Sequence, residues 1–213
     1  MKKLITLITL SILVLTSVYA QQQDPKAGKI LDAMSAKYRK TPAFKADFSY
    51  KMENIEEDIN ETFEGTVFVK GDLYKLLMEG QEMRFDGKNI WTYSAEFEEV
   101  SVTSSEDEEE EISISNIFDL YKTGYKYLYL ESKNSGKTDV IDLVPNDLNK
   151  SFFKIRMEIN ATTKELRSFK VFDKSGSKYI YTVKTYQALS TLKDNDFTFS
   201  QAELNGKEFI DMR

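Results

Sequence analysis

The sequence predicts a mainly β, α+β fold: one wide antiparallel sheet curved into an incomplete β-barrel of about 10–11 strands, with helices covering its concave face. Three observations carry this. Most of the chain after residue 42 alternates apolar and polar side chains with a period of two. Turn signals interrupt that alternation every few residues, as at Asp86-Gly87, Ser135-Gly136 and Ser175-Gly176. Helical spacing is confined to two segments far apart in sequence. Hairpin-length connections make consecutive strands antiparallel neighbours, and a sheet so wide is expected to curl.

Residues 1–20 read as a secretory signal peptide. Lys2 and Lys3 precede an apolar run from Leu4 to Val18, and Val18-Tyr19-Ala20 offers small residues for cleavage. The run is shorter than the ~20 residues of a spanning helix. Residues 21–213 are then expected to form one exported domain. Removing the leader takes away two lysines and no acid, so the formal charge moves from −6 to −8.

A helix opens that domain. Asp24 caps it and Pro25 occupies its first position. Ala27, Ile30, Leu31, Met34 and Tyr38 share one face, and Lys37, Arg39 and Lys40 complement the dipole at its end. Thr41-Pro42 stops it. The first strand follows, with Phe44, Ala46, Phe48, Tyr50 and Met52 on one face. A second strand runs from Glu61 to Lys70 around Gly65. Gly71-Asp72 turns into a third, where Tyr74, Leu76 and Met78 share a face. Further strands are expected at Met83 to Phe85, Ile90 to Ser94, Phe97 to Thr103, Tyr125 to Ser132, Thr138 to Val144, Ser151 to Asn160, Glu165 to Asp173 and Lys178 to Gln187. A short strand at Phe197 to Phe199 and a tail at Phe209-Ile210 complete the set.

Between the two halves, six consecutive acids run from Glu106 to Glu111. The plain reading is a solvated loop, and the functional one is a loose tether. Ile112 to Tyr121 follows, where Ser115 is expected to cap a short helix bearing Ile117, Phe118, Leu120 and Tyr121. That helix either seals the core or acts as a lid.

Composition excludes several chemistries. With no Cys and no His there is no thiol nucleophile, no imidazole base and neither of the commonest metal ligands, so no cofactor and no metal are expected. The acidic balance argues against a nucleic-acid partner. Ser151-x-x-Lys154 and Ser175-x-x-Lys178 match a Ser/Lys pattern, but both fall in or beside strands rather than on one helical turn. No catalytic residue is assigned and the protein is not expected to be an enzyme. An incompletely filled sheet would leave an apolar cavity suited to an acyl chain, whose buried methylenes contribute ~0.8 kcal/mol each. A fully packed core is the competing outcome.

The segment from Glu64 to Val102, with Gly65, Val67, Val69, Lys70, Asp86, Gly87, Lys88, Ile90, Trp91 and Tyr93, resembles the outer-membrane lipoprotein carrier (LolA) family. So do the leader, the first helix, the AFKADFSYK strand, Val140 to Pro145 and Phe197 to Phe199. The resemblance implies a soluble, monomeric periplasmic shuttle. Such a shuttle takes lipoprotein acyl chains from an inner-membrane transporter to an outer-membrane acceptor. It implies a cavity walled by Tyr74, Leu76 and Met78, then Phe48, Tyr50 and Met52, with Ile155, Met157 and Ile159 opposite and Trp91 lining or underlying it. Leu31 and Met34 from the helix and Ile117, Phe118 and Leu120 from the lid would cover it. Many family members place an Arg after the Val-Lys of the second strand to latch the lid, whereas this chain has Gly71. Two other readings stay open: a lipid-binding or envelope-sensing module on the same fold, and an exported lipid or glycan hydrolase.

Overall fold

The computed structural model describes residues 23–105, 112–114 and 116–213. The leader, the acid run and Ser115 lie outside the described residues.

The helix α1 spans Pro25–Lys40, and its cap is the one the sequence indicates. The Asp24 carboxylate accepts hydrogen bonds from the Lys26 and Ala27 amides, Pro25 stands in the first turn, and Thr41 ends the helix. The strands are β1 (Ala43–Asn54), β2 (Ile59–Lys70), β3 (Leu73–Met78), β4 (Gln81–Phe85), β5 (Asn89–Ser94) and β6 (Glu99–Ser104). The second half contributes β7 (Tyr125–Lys133), β8 (Thr138–Pro145), β9 (Phe152–Asn160), β10 (Leu166–Asp173), β11 (Lys178–Leu189) and β12 (Glu208–Asp211). A one-turn helix, α2 (Gln201–Leu204), precedes β12.

The twelve strands of the described residues join one sheet in the order β12-β6-β5-β4-β3-β2-β1-β11-β10-β9-β8-β7. Two meanders, β1 to β6 and β7 to β11, are stitched together where β1 pairs antiparallel with β11. Every pairing is antiparallel except that of β12, which lies parallel to β6.

The expected incomplete barrel is corrected to an open sheet whose edges are β7 and β12. The β7 edge finds cover other than the opposite edge. Gln23 and Asp24 hydrogen-bond to the backbone of Tyr125, Tyr127 and Tyr129 along β7, occupying polar groups that closure would otherwise satisfy.

Two further expectations change. The described residues of the segment Ile112 to Tyr121, 112–114 and 116–121, form bends, turns and the start of a 3-10 turn at Leu120–Lys122, with no α-helix among them. Ser113 and Asn116 exchange side-chain to backbone hydrogen bonds, which compete with the helical ladder. Residues 194–197 form a 3-10 turn rather than a strand reaching Phe199, with the Asp196 carboxylate accepting from the Lys193 amide.

One sheet face, here the inner face, carries the main core. Leu31 and Met34 of α1 are fully buried in the same cluster as Ile141 and Leu143 of β8 and Ile155, Met157 and Ile159 of β9. The helix lies close enough to β7 that a side chain at Gly28 would meet the Tyr127 hydroxyl at 3.2 Å. The outer face carries a smaller layer of Trp91, Val100, Val102, Phe197 and Phe199 under the C-terminal segment.

Candidate functional site: an apolar cavity on the inner face

Helix α1 fills the inner face over β7 to β9. Over β1 to β4, β10 and β11 the same face is left open, and a cavity of about 740 Å³ lies there. Alternation decides its wall. Phe44, Ala46, Phe48 and Tyr50 of β1 point inward, and their register partners bring Val67 and Val69 of β2 alongside. Tyr74, Leu76 and Met78 of β3 and Met83 of β4 continue the wall.

The opposite wall comes from Phe169 and Val171 of β10 and from Tyr179, Tyr181, Val183 and Tyr186 of β11. Tyr186 and Val183 share a face although they are three positions apart. The register between β1 and β11 shifts by one residue there, so Lys184 is extra and the parity of the strand reverses.

A glycine shapes the floor. Gly65 stands opposite Phe48, and a Cβ at that position would lie 2.5 Å from the Phe48 ring and 3.0 Å from the Leu77 carbonyl oxygen. The missing side chain is what lets the Phe48 ring lie flat against the sheet.

An aromatic plug closes one end. Tyr38 of α1 stacks on Phe118 with ring centroids 3.7 Å apart, and both meet Phe44 edge-on. Tyr186 packs against Tyr38 and Phe44. Burial pushes the Tyr38 hydroxyl far above its usual range, and that oxygen accepts from the Leu166 amide at 3.1 Å. Ile112, Ile114 and Ile117 lie on the same end. At the far end Tyr50, Met78, Tyr179 and Tyr181 are only half-buried, so the cavity opens there.

The covering segment is tied down to α1. Asp119 accepts from Ser35 Oγ at 2.5 Å and from Arg39 Nε and Nη2 at 3.0 and 2.8 Å, and pairs with Lys122 Nζ at 2.5 Å. Burial alone raises the Asp119 pKa, but the Lys122, Ser35 and Arg39 hydrogen bonds outweigh it and hold the carboxyl at about 2. Tyr121 donates to Asp32 at 2.6 Å. These contacts hold the segment without an arginine after Lys70. Gly71 itself is a turn residue with φ of +58° and no neighbour within 4 Å of an added Cβ.

Among the described residues that line the cavity, Asp173 is the one acidic or basic side chain, and its Oδ1 is tied to the Ser175 amide at 2.7 Å in its own hairpin. Burial, with Tyr179 and Glu61 nearby, pushes the Tyr50 hydroxyl up, so it stays protonated. Lys154 faces Asp142 rather than Ser151. Among the described residues no cluster of three or more His, Cys, Asp or Glu could hold a metal ion. The cavity can shelter apolar matter, and among the described residues its wall offers no assembled acid, base or nucleophile.

Of the residues picked out by sequence, Phe48, Tyr50, Tyr74, Leu76, Met78, Ile117 and Phe118 line the cavity. Eight others do not. Ile155, Met157 and Ile159 face inward but are sealed under α1, where Leu31 and Met34 are the sealing residues. Leu120 packs against the core beside the cavity. Met52 lies beyond the lined region at the open end, paired with Glu61 and Tyr179. Trp91 sits on the outer face. Its partners across the sheet are Arg84 and Val102, its indole N–H donates to Asp86 at 2.9 Å, and its ring stacks on Phe209. The Asp-Gly…Trp-x-Tyr block is thus a structural unit in which Asp86 holds both the hairpin turn and the indole.

The sequence reading missed the β10 and β11 wall. Pairing Phe48 with Val183 and Tyr50 with Tyr181 would have located it, but the bulge at Lys184 hides that parity. Phe44 and Ala46 were available from the same alternation as Phe48.

The open-sheet fold recurs in solved structures. An uncharacterized conserved protein from Thermus thermophilus superposes with a TM-score of 0.60 at 12% identity, covering 87% of this chain and 99% of the other. The Mycobacterium tuberculosis lipoprotein LppX gives a TM-score of 0.52 at 12% identity, covering 80% of this chain and all of the other. A DUF1329 family protein from Desulfovibrio piger gives 0.50 at 11% identity, covering 81% and 97%. At these identities the likeness concerns the fold. No curated protein matches the chain. A family model described as outer membrane lipoprotein carrier protein LolA matches residues 39–200. That span takes in every strand from β1 to β11 and most of the cavity wall, and the chain belongs to the LolA family.

Proposed function

We propose that the protein is an exported, non-enzymatic binding module that shelters acyl chains in the inner-face cavity. The observation that carries this is the cavity itself: about 740 Å³, walled by aliphatic and aromatic side chains, plugged at one end and open at the other. That volume is within the range of sites that enclose small apolar ligands. Burying about ten methylenes contributes ~8 kcal/mol before the cost of association is subtracted. The result is affinity without a charged anchor, a property that allows handover.

Family membership favours lipoprotein acyl chains as the cargo and a shuttle from the inner to the outer membrane as the role. A releasing transporter and an acceptor at the two membranes are then its partners. The apolar run at Leu4 to Val18 supports export as a monomeric periplasmic protein, with cleavage after Ala20. No helix among the described residues is long and apolar enough to cross a membrane. The second reading is a lipid-binding or envelope-sensing module. It is favoured by the limited volume, because the three acyl chains of a mature lipoprotein demand far more apolar room than a single chain.

Mass spectrometry of material that co-purifies with the exported protein separates these readings. Intact acylated polypeptide supports the shuttle. Free fatty acid or phospholipid alone supports the lipid-binding module. A protein that carries neither, and that binds no acyl probe after delipidation, refutes the cavity's role.

A further inference from the structure

The outer face of the β7 to β11 half carries a basic, partly apolar patch that the cavity does not use. Residues paired across strands share a face. One row runs Leu128, Asp142, Arg156, Lys170, Ile180 and Lys51 across six strands. The adjacent row includes Lys154, Phe172 and Lys178, with Lys126 paired to Val144 beside it. The acids on this face are engaged locally. Asp142 is held by Arg156 at 2.7 Å and by Lys154 at 3.6 Å, and Glu53 by Lys51 at 2.6 Å. Lys126, Lys170 and Lys178 form no ion pair among the described residues.

Apolar side chains stand among these cations. Phe153, Leu128 and Val144 are exposed, and Leu148 at the tip of the β8–β9 loop is 81% exposed. Phe153 packs on Phe172 at 6.0 Å, and Lys154 Nζ lies 4.3 Å from the Phe172 ring centroid. In a chain of formal charge −6 this is a marked local reversal of sign.

The patch backs directly onto the cavity. Phe152 and Val171 line the cavity from the inner face, while their chain neighbours Phe153 and Phe172 stand on the outer one. Ser151 and Asp173, beside the same residues, also line the cavity.

We propose that this face docks on an anionic lipid bilayer, with Lys126, Lys170 and Lys178 on headgroup phosphates and Leu148 and Phe153 entering the interface. Three features favour a bilayer over an acidic protein. The cations of these rows that form no salt bridge are lysines, whose flexible stems reach headgroups as point charges, whereas protein hot spots favour arginine. The apolar residues are spread over a flat face and a loop tip rather than gathered in a pocket. The face adjoins a cavity of the right chemistry for lipid, and to that extent the proposal rests on the acyl-binding reading.

The test is co-sedimentation of the exported protein with phosphatidylcholine vesicles containing about a third phosphatidylglycerol, and with phosphatidylcholine alone. The proposal expects partition onto the anionic vesicles only, weakening with salt. Replacing Lys126, Lys170 and Lys178 together by Ala should lower it about a hundredfold, at roughly fivefold per lysine. Leu148→Ser with Phe153→Ser should lower it about tenfold. Both variants should keep the parent's circular dichroism and its titration with a fluorescent fatty acid in solution. Equal partition onto both vesicle types overturns the proposal, as does a triple lysine variant that sediments like the parent. Binding to polyglutamate without binding to vesicles assigns the face to an acidic polypeptide instead. The solution titration keeps the two readings apart: loss of fatty-acid binding with vesicle docking intact removes the cavity reading alone.

Discussion

Asp119→Asn tests the hold on the covering segment. The carboxylate receives two bonds from Arg39, one from Ser35 and one from Lys122. The Arg39 side chain is 62% exposed and those of Lys122 and Asp119 about a third, so each ion pair is worth about 0.2–1 kcal/mol rather than its buried value. The Ser35 bond adds about 1 kcal/mol. Asparagine keeps one acceptor oxygen, so the net loss is about 1–2 kcal/mol. That corresponds to roughly a 5- to 30-fold rise in local opening. The assay is amide hydrogen exchange over residues 116–122, where the Asp119 and Lys122 amides bond to Asn116 and Asp119 carbonyls. Exchange there should accelerate by that factor while β1 and β2 keep the parent rate. The pH dependence has a definite sign. The folded-state pKa of about 2 lies below the unfolded value, so the stabilisation is fully present above about pH 4 and is lost as pH falls through about 2. Variant and parent should converge at that limit. Unchanged exchange in 116–122, or an equal rise in β1, would refute the assignment of Asp119 as the tie.

Other perturbations report on separate parts of the molecule. Gly65→Ala places a Cβ against the Phe48 ring and the Leu77 carbonyl, so it should cost about 1–3 kcal/mol in urea unfolding and weaken fatty-acid binding by displacing that ring. A variant with parental stability and binding would show that the close approach is unimportant. Arg84, 4% exposed, bonds to Glu82, Glu203 and the Thr198 carbonyl on the outer face. Arg84→Ala should destabilise by about 3 kcal/mol and leave acyl binding intact, because the group lies across the sheet from the cavity. Trp91 is the single tryptophan, and its emission should stay constant when a spin-labelled fatty acid binds. Strong quenching would place the chain on the outer face.

Local signals in the sequence were strong enough to define most elements. Asp24-Pro25 set the start of α1, and the alternation from Phe44 to Met52 set β1 and its inner face. Asp86-Gly87 marked the β4–β5 hairpin. What failed were quantities that depend on partners distant in sequence. Trp91 is large and lies in a strand beside the cavity, but only its pairing with Arg84 reveals that it faces outward. Ile155, Met157 and Ile159 have the inward parity, yet whether an inward residue meets a cavity or a helix depends on where α1 lies. The bulge at Lys184 reverses the parity of β11 and concealed Tyr179 and Tyr181. Ser113 organises the covering segment, because its local bonds with Asn116 compete with a helix. The latch was equally invisible, since Asp119 and Arg39 are 80 residues apart.

The site is tested most directly by methyl NMR of methionine-labelled protein titrated with a fatty acid bearing a spin label on its chain. Met78 and Met83 line the cavity, Met34 is the buried residue of α1 that seals Met157 beneath it, and Met212 is exposed near the C-terminus. The account predicts saturable broadening that is strongest at the Met78 and Met83 methyl signals, weaker at Met34 and Met157, and least at Met212. Broadening centred on Met212, or equal across all five, would contradict an acyl site in this cavity.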